Sequence, residues 1–223
     1  MAELVGDWGG GEIWRITSGS FPSNSYICLN RAAGGALLID GGLDPEAIDA
    51  VVNKLGVIPS LVCCTHGHFD HAGSAEFFQS KYGTSVFMHK ADVKTYKMSN
   101  FLLMAFGFSE RIKFAAITQA GDEERIRMDG FDITFIPTPG HTPGSCFLSI
   151  GNALFTGDTL YAHGVGLSDL PGEKPELLKK SILSIWNTLT SNQWIFPGHG
   201  RAIEGDRLKR ENVDLLRFLG LIT

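Results

Sequence analysis

Four side chains that commonly bind metal ions are packed into one short segment of this sequence. The segment reads THGHFDH over 65–71 and begins at the last residue of the apolar run SLVCCT, so that His66, His68, Asp70 and His71 lie together. A turn at the end of a strand can aim several such side chains at one point, whereas residues i and i+2 of a helix face different sides. Imidazole and carboxylate together suit zinc, manganese or iron. The segment therefore indicates a site for divalent metal ions.

Three further candidate ligands follow, each beside glycine or proline. His141 lies in PGHTPG, Asp158 in TGDT and His199 in PGHG, and the last two follow apolar runs. Small flanking residues let the backbone come close to a compact site. Alone, either histidine would be interpreted as an ordinary polar residue, and His89 and His163 keep that interpretation. All seven candidates together favour one shared metal centre.

The order of these motifs, H-x-H-x-D-H, G-H-T-P-G, G-D and G-H-G over 23–199, resembles the metallo-β-lactamase superfamily. The resemblance implies an α/β (α+β) fold of the αββα type, a four-layer sandwich with the site at one edge of two sheets, and residues 1–223 as one such domain. It also implies which side chains bind which metal. The first metal would be held by His66, His68 and His141, and the second by Asp70, His71 and His199, with Asp158 bridging the two.

The activity that the resemblance implies is metal-dependent hydrolysis. Two Zn²⁺ ions per chain, with Mn²⁺ or Fe²⁺ as alternatives, would lie about 3.5–4 Å apart and lower the pKa of a shared water towards neutrality. The bridging hydroxide would attack an ester, thioester or lactone, and Asp70 would both bind metal and orient it. Asp40 resembles the acid of this superfamily that accepts a hydrogen bond from the far nitrogen of a ligand histidine. A turn aspartate is the other interpretation of Asp40.

The substrate is less defined than the metal site. Tyr161, three residues after Asp158, matches the position of a tyrosine in acyl-homoserine lactonases, where its hydroxyl would donate to a developing oxyanion. An aromatic residue at a strand end explains it equally well. Branches that bind glutathione carry a basic residue where this chain has Leu167, which argues against glutathione. Two alternatives to the hydrolase remain open: an inactive metal-binding member, and an oxidoreductase like the persulfide dioxygenases, with one iron on His66, His141 and Asp158.

Composition limits the partners. A net charge of −5 offers no basic face to nucleic acid, and the apolar runs are too short to span a membrane. The first residues lack the pattern of a signal peptide, and the four cysteines, none in a C-x-x-C pair, are typical of reduced core residues. We therefore expect a cytoplasmic enzyme that acts on a small-molecule acyl substrate.

Residues 98 to 116 form a dense apolar block rich in Phe and Met. In the superfamily this part of the chain runs near the mouth of the site. One hypothesis is that it forms a wall or lid for an apolar acyl group, with Gly107 as a hinge. Packing in the core, or a contact in a homodimer, is the alternative.

Alternating strands and helices must position these groups. Helices are predicted from the N-cap Asp44 to Lys54, and over 72–82, 174–190 and 206–219. Strands are predicted at EIWRIT, SYICLN, ALLID, SLVCCT, TSVFM, FDITFIPTP, SCFLSI, ALFTGD and WIFPG. Strands clustered between helices indicate packed sheets covered by helices.

Overall fold

The computed structural model describes residues 2–168, 170 and 172–222, which form two sheets with helices around them. The strands of the first sheet lie side by side in chain order. They are antiparallel from the first to the fourth and parallel from the fourth to the seventh. They are β1 (Ala2–Asp7), β2 (Glu12–Ser18), β3 (Ser23–Asn30), β4 (Gly35–Ile39), β5 (Leu61–Cys64), β6 (Ser85–His89) and β7 (Ile117–Ala120).

The second sheet comes from the later part of the chain. Its strands are β8 (Arg125–Met128), β9 (Phe131–Pro137), β10 (Cys146–Ile150), β11 (Ala153–Gly157), β12 (Trp194–Pro197) and β13 (Ile203–Glu204). Their order across the sheet is β13-β12-β11-β10-β9-β8, and β11 and β12 form its parallel pair.

Of the four predicted helices, the one that starts at Asp44 is confirmed and the other three need correction. The helices are α1 (Pro45–Leu55), α2 (Phe69–Ala72), α3 (Ala75–Tyr82), α4 (Val93–Lys97), α5 (Ser99–Ala105), α6 (Pro175–Ile185), α7 (Gly205–Glu211) and α8 (Val213–Leu219). Asp44 caps α1 as predicted, accepting from the Ala47 N–H. The single helix predicted over 206–219 is wrong, because Asn212 leaves the helix and caps α8 through the Leu215 N–H. The helix predicted over 72–82 is divided at Gly73 and Ser74. The helix predicted over 174–190 ends at Ile185 and continues as a 3-10 turn (Trp186–Thr188), and α4 and α5 were not predicted.

Three apolar layers separate four layers of secondary structure. Cys28 and Leu37 face the other sheet, while their neighbours Ile27 and Leu38 face α1 and α3. This alternation is the period of two that a strand imposes, and it explains why the inner strands are apolar on both faces. The second sheet packs in the same way against α6, α7 and α8. The predicted αββα architecture is confirmed.

The sheets place their strand ends at one common edge. The candidate ligands follow the carboxyl ends of β5, β9, β11 and β12, and Asp40 follows β4. Within the described residues, no helix is both long enough and apolar enough to span a membrane.

Candidate metal centre

The backbone of the 65–71 segment turns from strand to helix over three residues. β5 ends at Cys64, and His68 is the N-cap of α2, whose first turn contains Asp70 and His71. The Ala72 N–H donates to the carbonyl of His68 at 2.8 Å, which closes that turn. His66 and His68 therefore project from the loop, while Asp70 and His71 project from the helix.

The structure brings all seven predicted ligands together in two neighbouring sets. His66, His68 and His141 form the first set, and Asp70, His71, Asp158 and His199 form the second. Within each set the potential ligand atoms lie within 4.8 Å of one another. In the first set, His141 Nε2 is 3.0 Å from His68 Nδ1. The remaining histidines lie elsewhere: His89 contacts Asp122 and His163 contacts Arg201.

Asp158 contacts side chains of both sets. Its Oδ1 is 3.3 Å from His71 Nε2, and its Oδ2 is 3.4 Å from His199 Nε2. The same Oδ2 is 3.6 Å from His141 Nε2 in the first set. A carboxylate in contact with both sets could be shared by two metal ions.

The residues fit a pair of divalent metal ions. His66 Nε2, His71 Nε2 and Asp158 Oδ1 are buried polar atoms without a hydrogen-bond partner among the described residues. Leaving such atoms unpaired is costly, and each of them points into its set, where a cation would satisfy it. Nitrogen and carboxylate oxygen donors in this number match zinc, iron or manganese.

Without a metal ion, the surroundings shift the pKa values of the ligand side chains in both directions. Burial, together with the charge of His71, holds the pKa of His66 well below its ordinary value. Burial and the neighbouring His141 lower the pKa of His68 to about 4. Burial opposes ionisation of Asp158, but the charge of His71 and the contact with His199 outweigh it and hold the pKa of that carboxyl well below its ordinary value. Burial lowers the pKa of His71, but the neighbouring carboxylates, Asp158 foremost, outweigh it and raise that pKa well above its ordinary value. Neutral imidazoles and an ionised carboxylate are the forms that bind metal, so His71 must lose a proton when a metal ion binds.

Two of the ligand histidines are oriented by acceptors that bind the ring nitrogen facing away from the site. Asp40 Oδ2 accepts from His71 Nδ1 at 2.9 Å, the contact expected for this residue from the sequence. Asp40 also accepts from the Thr65 N–H and hydroxyl, both at 2.8 Å, and so joins β4 to the metal loop. His199 Nδ1 donates to the carbonyl of Pro22 at 2.8 Å. These bonds fix the tautomer, so that Nε2 is left to face the metal.

Comparison with known proteins agrees with this geometry. A profile of the metallo-beta-lactamase superfamily matches residues 19–199. This chain belongs to that superfamily. The solved structure of TTHA1623 in a di-iron-bound form is similar to this chain, with 28% sequence identity and a TM-score of 0.79, over 89% of this chain and 98% of that one.

Two curated relatives are named as hydrolases. A probable polyketide biosynthesis zinc-dependent hydrolase of Bacillus velezensis is 29% identical over 174 residues, or 78% of this chain and 71% of the relative. A hydroxyacylglutathione hydrolase of Anaeromyxobacter dehalogenans is 31% identical over 182 residues, which cover 82% of this chain but 64% of that protein.

Two acidic residues that sequence reasoning missed support the ligand loops. Asp92 is fully buried and accepts hydrogen bonds from both histidine-bearing loops of the first set. Glu173 Oε1 lies 3.1 Å from His141 Nδ1 and accepts from the Ser168 N–H at 2.9 Å. Burial lowers the pKa of His141, but the hydrogen bond to Glu173 outweighs it and raises that pKa. Each acid lies among lysines or next to a proline-rich loop, and neither position carries a motif.

The metal sets face a cavity of about 450 Å³. Apolar side chains form much of its wall: Phe21, Phe69, Phe106 and Leu170. Tyr161 also lines it, with its ring 6.0 Å from that of His199. Burial, followed by the carboxylate of Asp158, raises the pKa of Tyr161 well above its ordinary value, so its hydroxyl keeps its proton.

The apolar block at 98–116 divides into parts with different surroundings. Leu103 is buried, whereas Met98, Phe101 and Met104 are exposed. Phe106 lines the cavity, and its ring lies 6.1 Å from those of Phe21 and Phe69. One residue of the block is therefore core and another forms part of the cavity wall.

Proposed function

We propose that this protein is a binuclear zinc-dependent hydrolase that cleaves an ester, thioester or lactone of an apolar acyl group. The observation that carries the proposal is the position of Asp158, within 3.6 Å of histidines from both complete sets. An inactive or mononuclear member would have no need of a second complete set with its own supporting acid, Asp40. The zinc-dependent and hydroxyacylglutathione hydrolases among the relatives support hydrolysis, and the di-iron relative keeps iron as the alternative metal.

The metal pair, when bound, supplies Lewis acidity to the scissile carbonyl and lowers the pKa of a water molecule. The chain supplies the rest. Asp70 is buried beside the cavity with its carboxylate ionised, because His71 and His199 outweigh the cost of burial on its pKa. Its carboxylate can therefore accept a hydrogen bond from the attacking water and orient it. The protonated hydroxyl of Tyr161 can donate to the oxygen on which charge develops.

The cavity wall favours an apolar substrate over glutathione. Phe21, Phe69 and Phe106 line the metal cavity. Leu167, where glutathione-binding branches carry a basic residue, packs against the core between the second sheet and its helices. Glutathione, a charged thiol peptide, would therefore meet apolar rings and would lack the basic residue that glutathione-binding branches carry at that position.

A panel assay on protein of known metal content tests the proposal. Purified protein should hold two zinc ions per chain and hydrolyse acyl thioesters, esters or lactones faster than a chromogenic lactam. One iron per chain at full activity, or oxygen consumption with a persulfide and no hydrolysis, would reject it in favour of the oxidoreductase. All four cysteines are among the described residues, and they are buried and free. Reduced cysteines are consistent with a cytoplasmic location, which remains a prediction.

A further inference from the structure

A second cavity adjoins the metal centre. Its volume is about 410 Å³, within the range of small-molecule sites. His68 lines both this cavity and the metal cavity. Apolar side chains contribute much of its wall: Met98, Phe101, Leu102 and Pro143. The position of His68 places the second cavity next to the place where a scissile bond would lie.

The wall of this cavity is fastened to the metal loops. The Ser99 hydroxyl, at the start of α5, donates to the carbonyl of Gly67 at 3.1 Å and is fully buried. Gly67 separates His66 from His68, and Pro143 belongs to the loop that carries His141. The cavity therefore keeps a fixed position relative to the first metal set, as a substrate subsite requires.

Met98 and Phe101 expose 45% and 55% of their surface. A ligand in the cavity would cover this apolar area, and the unbranched side chain of Met98 can adapt to a flexible chain. We propose that the second cavity binds the unbranched aliphatic chain of an acyl substrate whose carbonyl lies in the metal cavity. The proposal rests on the proposed hydrolase function for the identity of its ligand.

Calorimetry with straight-chain alkyl carboxylates, from acetate to decanoate, tests this inference without turnover. With the metal-loaded protein, each added methylene should raise the affinity by about two- to fourfold until the cavity is full. Met98→Gln and Phe101→Gln should flatten this dependence. Met104→Gln is the matched control, because Met104 is equally exposed on the same helix but is not part of the cavity wall.

A dependence that persists in both Met98→Gln and Phe101→Gln would overturn the inference. So would a dependence lost in Phe106→Gln and kept in Phe101→Gln, because Phe106 lines the metal cavity instead. The outcome is separable from the proposed function. A steep dependence in a protein that hydrolyses no ester, thioester or lactone would reject the hydrolase and leave the chain-binding cavity in place.

A different observation, the buried carboxylate of Asp92, carries a second inference. Asp92 Oδ2 accepts from the Gly67 N–H and, at 3.0 Å, from the Thr142 hydroxyl. Its Oδ1 accepts at 3.0 Å from the Gly144 N–H and from the Thr95 hydroxyl. One side chain thus joins the loop of His66 and His68 to the loop of His141.

The two loops pack so closely against Asp92 that only glycine fits at the nearest positions. A Cβ on Gly67 would lie 2.7 Å from the carbonyl oxygen of Asp92, and one on Gly144 would lie 2.6 Å from Asp92 Cβ. We infer that Asp92 is a positioning residue that sets the separation of His68 and His141 and thereby the affinity of the first metal set. Because Asp92 does not contact the ring nitrogens of His68 or His141, its effect on them must pass through the backbone of both loops.

Metal affinity measured in two backgrounds tests this role. In His199→Ala, which weakens the second set, Asp92→Asn should lower the zinc affinity of the remaining first set by about tenfold or more. In His66→Ala, which weakens the first set, the same change should leave the affinity of the second set unaltered. Asp122→Asn, an exposed aspartate, is the control. Thr142→Val removes one of the four bonds and should act in the same direction with a smaller loss, even if Asp92→Asn folds poorly. Equal losses in both backgrounds would assign Asp92 a general structural role and overturn the inference.

Discussion

Replacement of Asp40 by asparagine tests whether Asp40 fixes the tautomer of His71 and thereby the metal affinity of the second set. Asp40 has a φ of 54°, in the left-handed region that asparagine tolerates, so the backbone need not change. Its two carboxylate oxygens accept from the Thr65 N–H, the Thr65 hydroxyl and His71 Nδ1. An asparagine has one acceptor oxygen. Either its amide opposes the Thr65 N–H, or it donates to His71 Nδ1.

The second arrangement reverses the tautomer of His71. Its proton would then lie on Nε2, which faces Asp70 and Asp158 at 3.3 Å in the native protein. A hydrogen bond to a charged group contributes about 1.5–3 kcal/mol, which corresponds to about 10–150-fold in binding. Loss of such partners of ligand histidines typically lowers metal affinity by about 10–100-fold. We therefore expect the second equivalent of zinc to bind about 10–100-fold more weakly, and the first to change by less than about threefold.

Competition with a chromogenic chelator resolves the two equivalents. Asp44→Asn is the matched control, because Asp44 caps α1 and asparagine is an equally good cap. The control should bind both equivalents as the native protein does. If Asp40→Asn weakened both equivalents alike, or neither, the tautomer argument would be refuted.

Three further outcomes are expected. Asp158→Ala should lose one zinc ion per chain and nearly all hydrolysis, measured by metal analysis and kcat, since Asp158 contacts both sets; two retained metals would contradict this. Tyr161→Phe should lower kcat by about ten- to a thousandfold, the scale of removing one oxyanion donor, and unchanged kcat would make Tyr161 structural. In metal-free protein, burial lowers the pKa of His199, but hydrogen bonds to Asp158 and Asp70 outweigh it and raise that pKa to about 9 from 6.5. This stabilisation is complete below the unfolded value and lost as pH rises through the folded one, so the Tm of the metal-free protein should fall between pH 6 and 9.5, and a flat Tm would exclude the effect.

The metal ligands could be predicted because few residue types bind metal and their spacing is distinctive. The inner strands could also be predicted from the sequence, since they are apolar on both faces. The edge strands were not: β8 buries only Ile126 of its four residues, and β1 alternates weakly between half-buried and exposed. With one buried residue, a strand has no period to detect.

The acids that support the ligand loops, Asp92 and Glu173, could not be predicted from the sequence for another reason. Asp92 is the last residue of a 3-10 turn (Lys90–Asp92) that leads into α4, and its partners at Gly67 and Gly144 are 25 and 52 residues away. Only the tertiary fold places them together. In the same way, the apolar block at 98–116 does not reveal that Leu103 enters the core while Phe106 lines the cavity.

The glycines beside the ligands have a role that the sequence suggested only in part. Gly157 has a φ of 48°, so its backbone conformation itself favours glycine, and a Cβ there would lie 2.5 Å from the Thr65 hydroxyl. Gly198 has no such φ, yet a Cβ would collide with Asp158 Oδ1 and lie 2.5 Å from the His71 ring. Its requirement is therefore for space alone. Because these loops pack without side chains between them, the carboxylate of Asp158 can reach histidines of both sets, and the geometry of the proposed metal centre depends on these close contacts as much as on the ligands themselves.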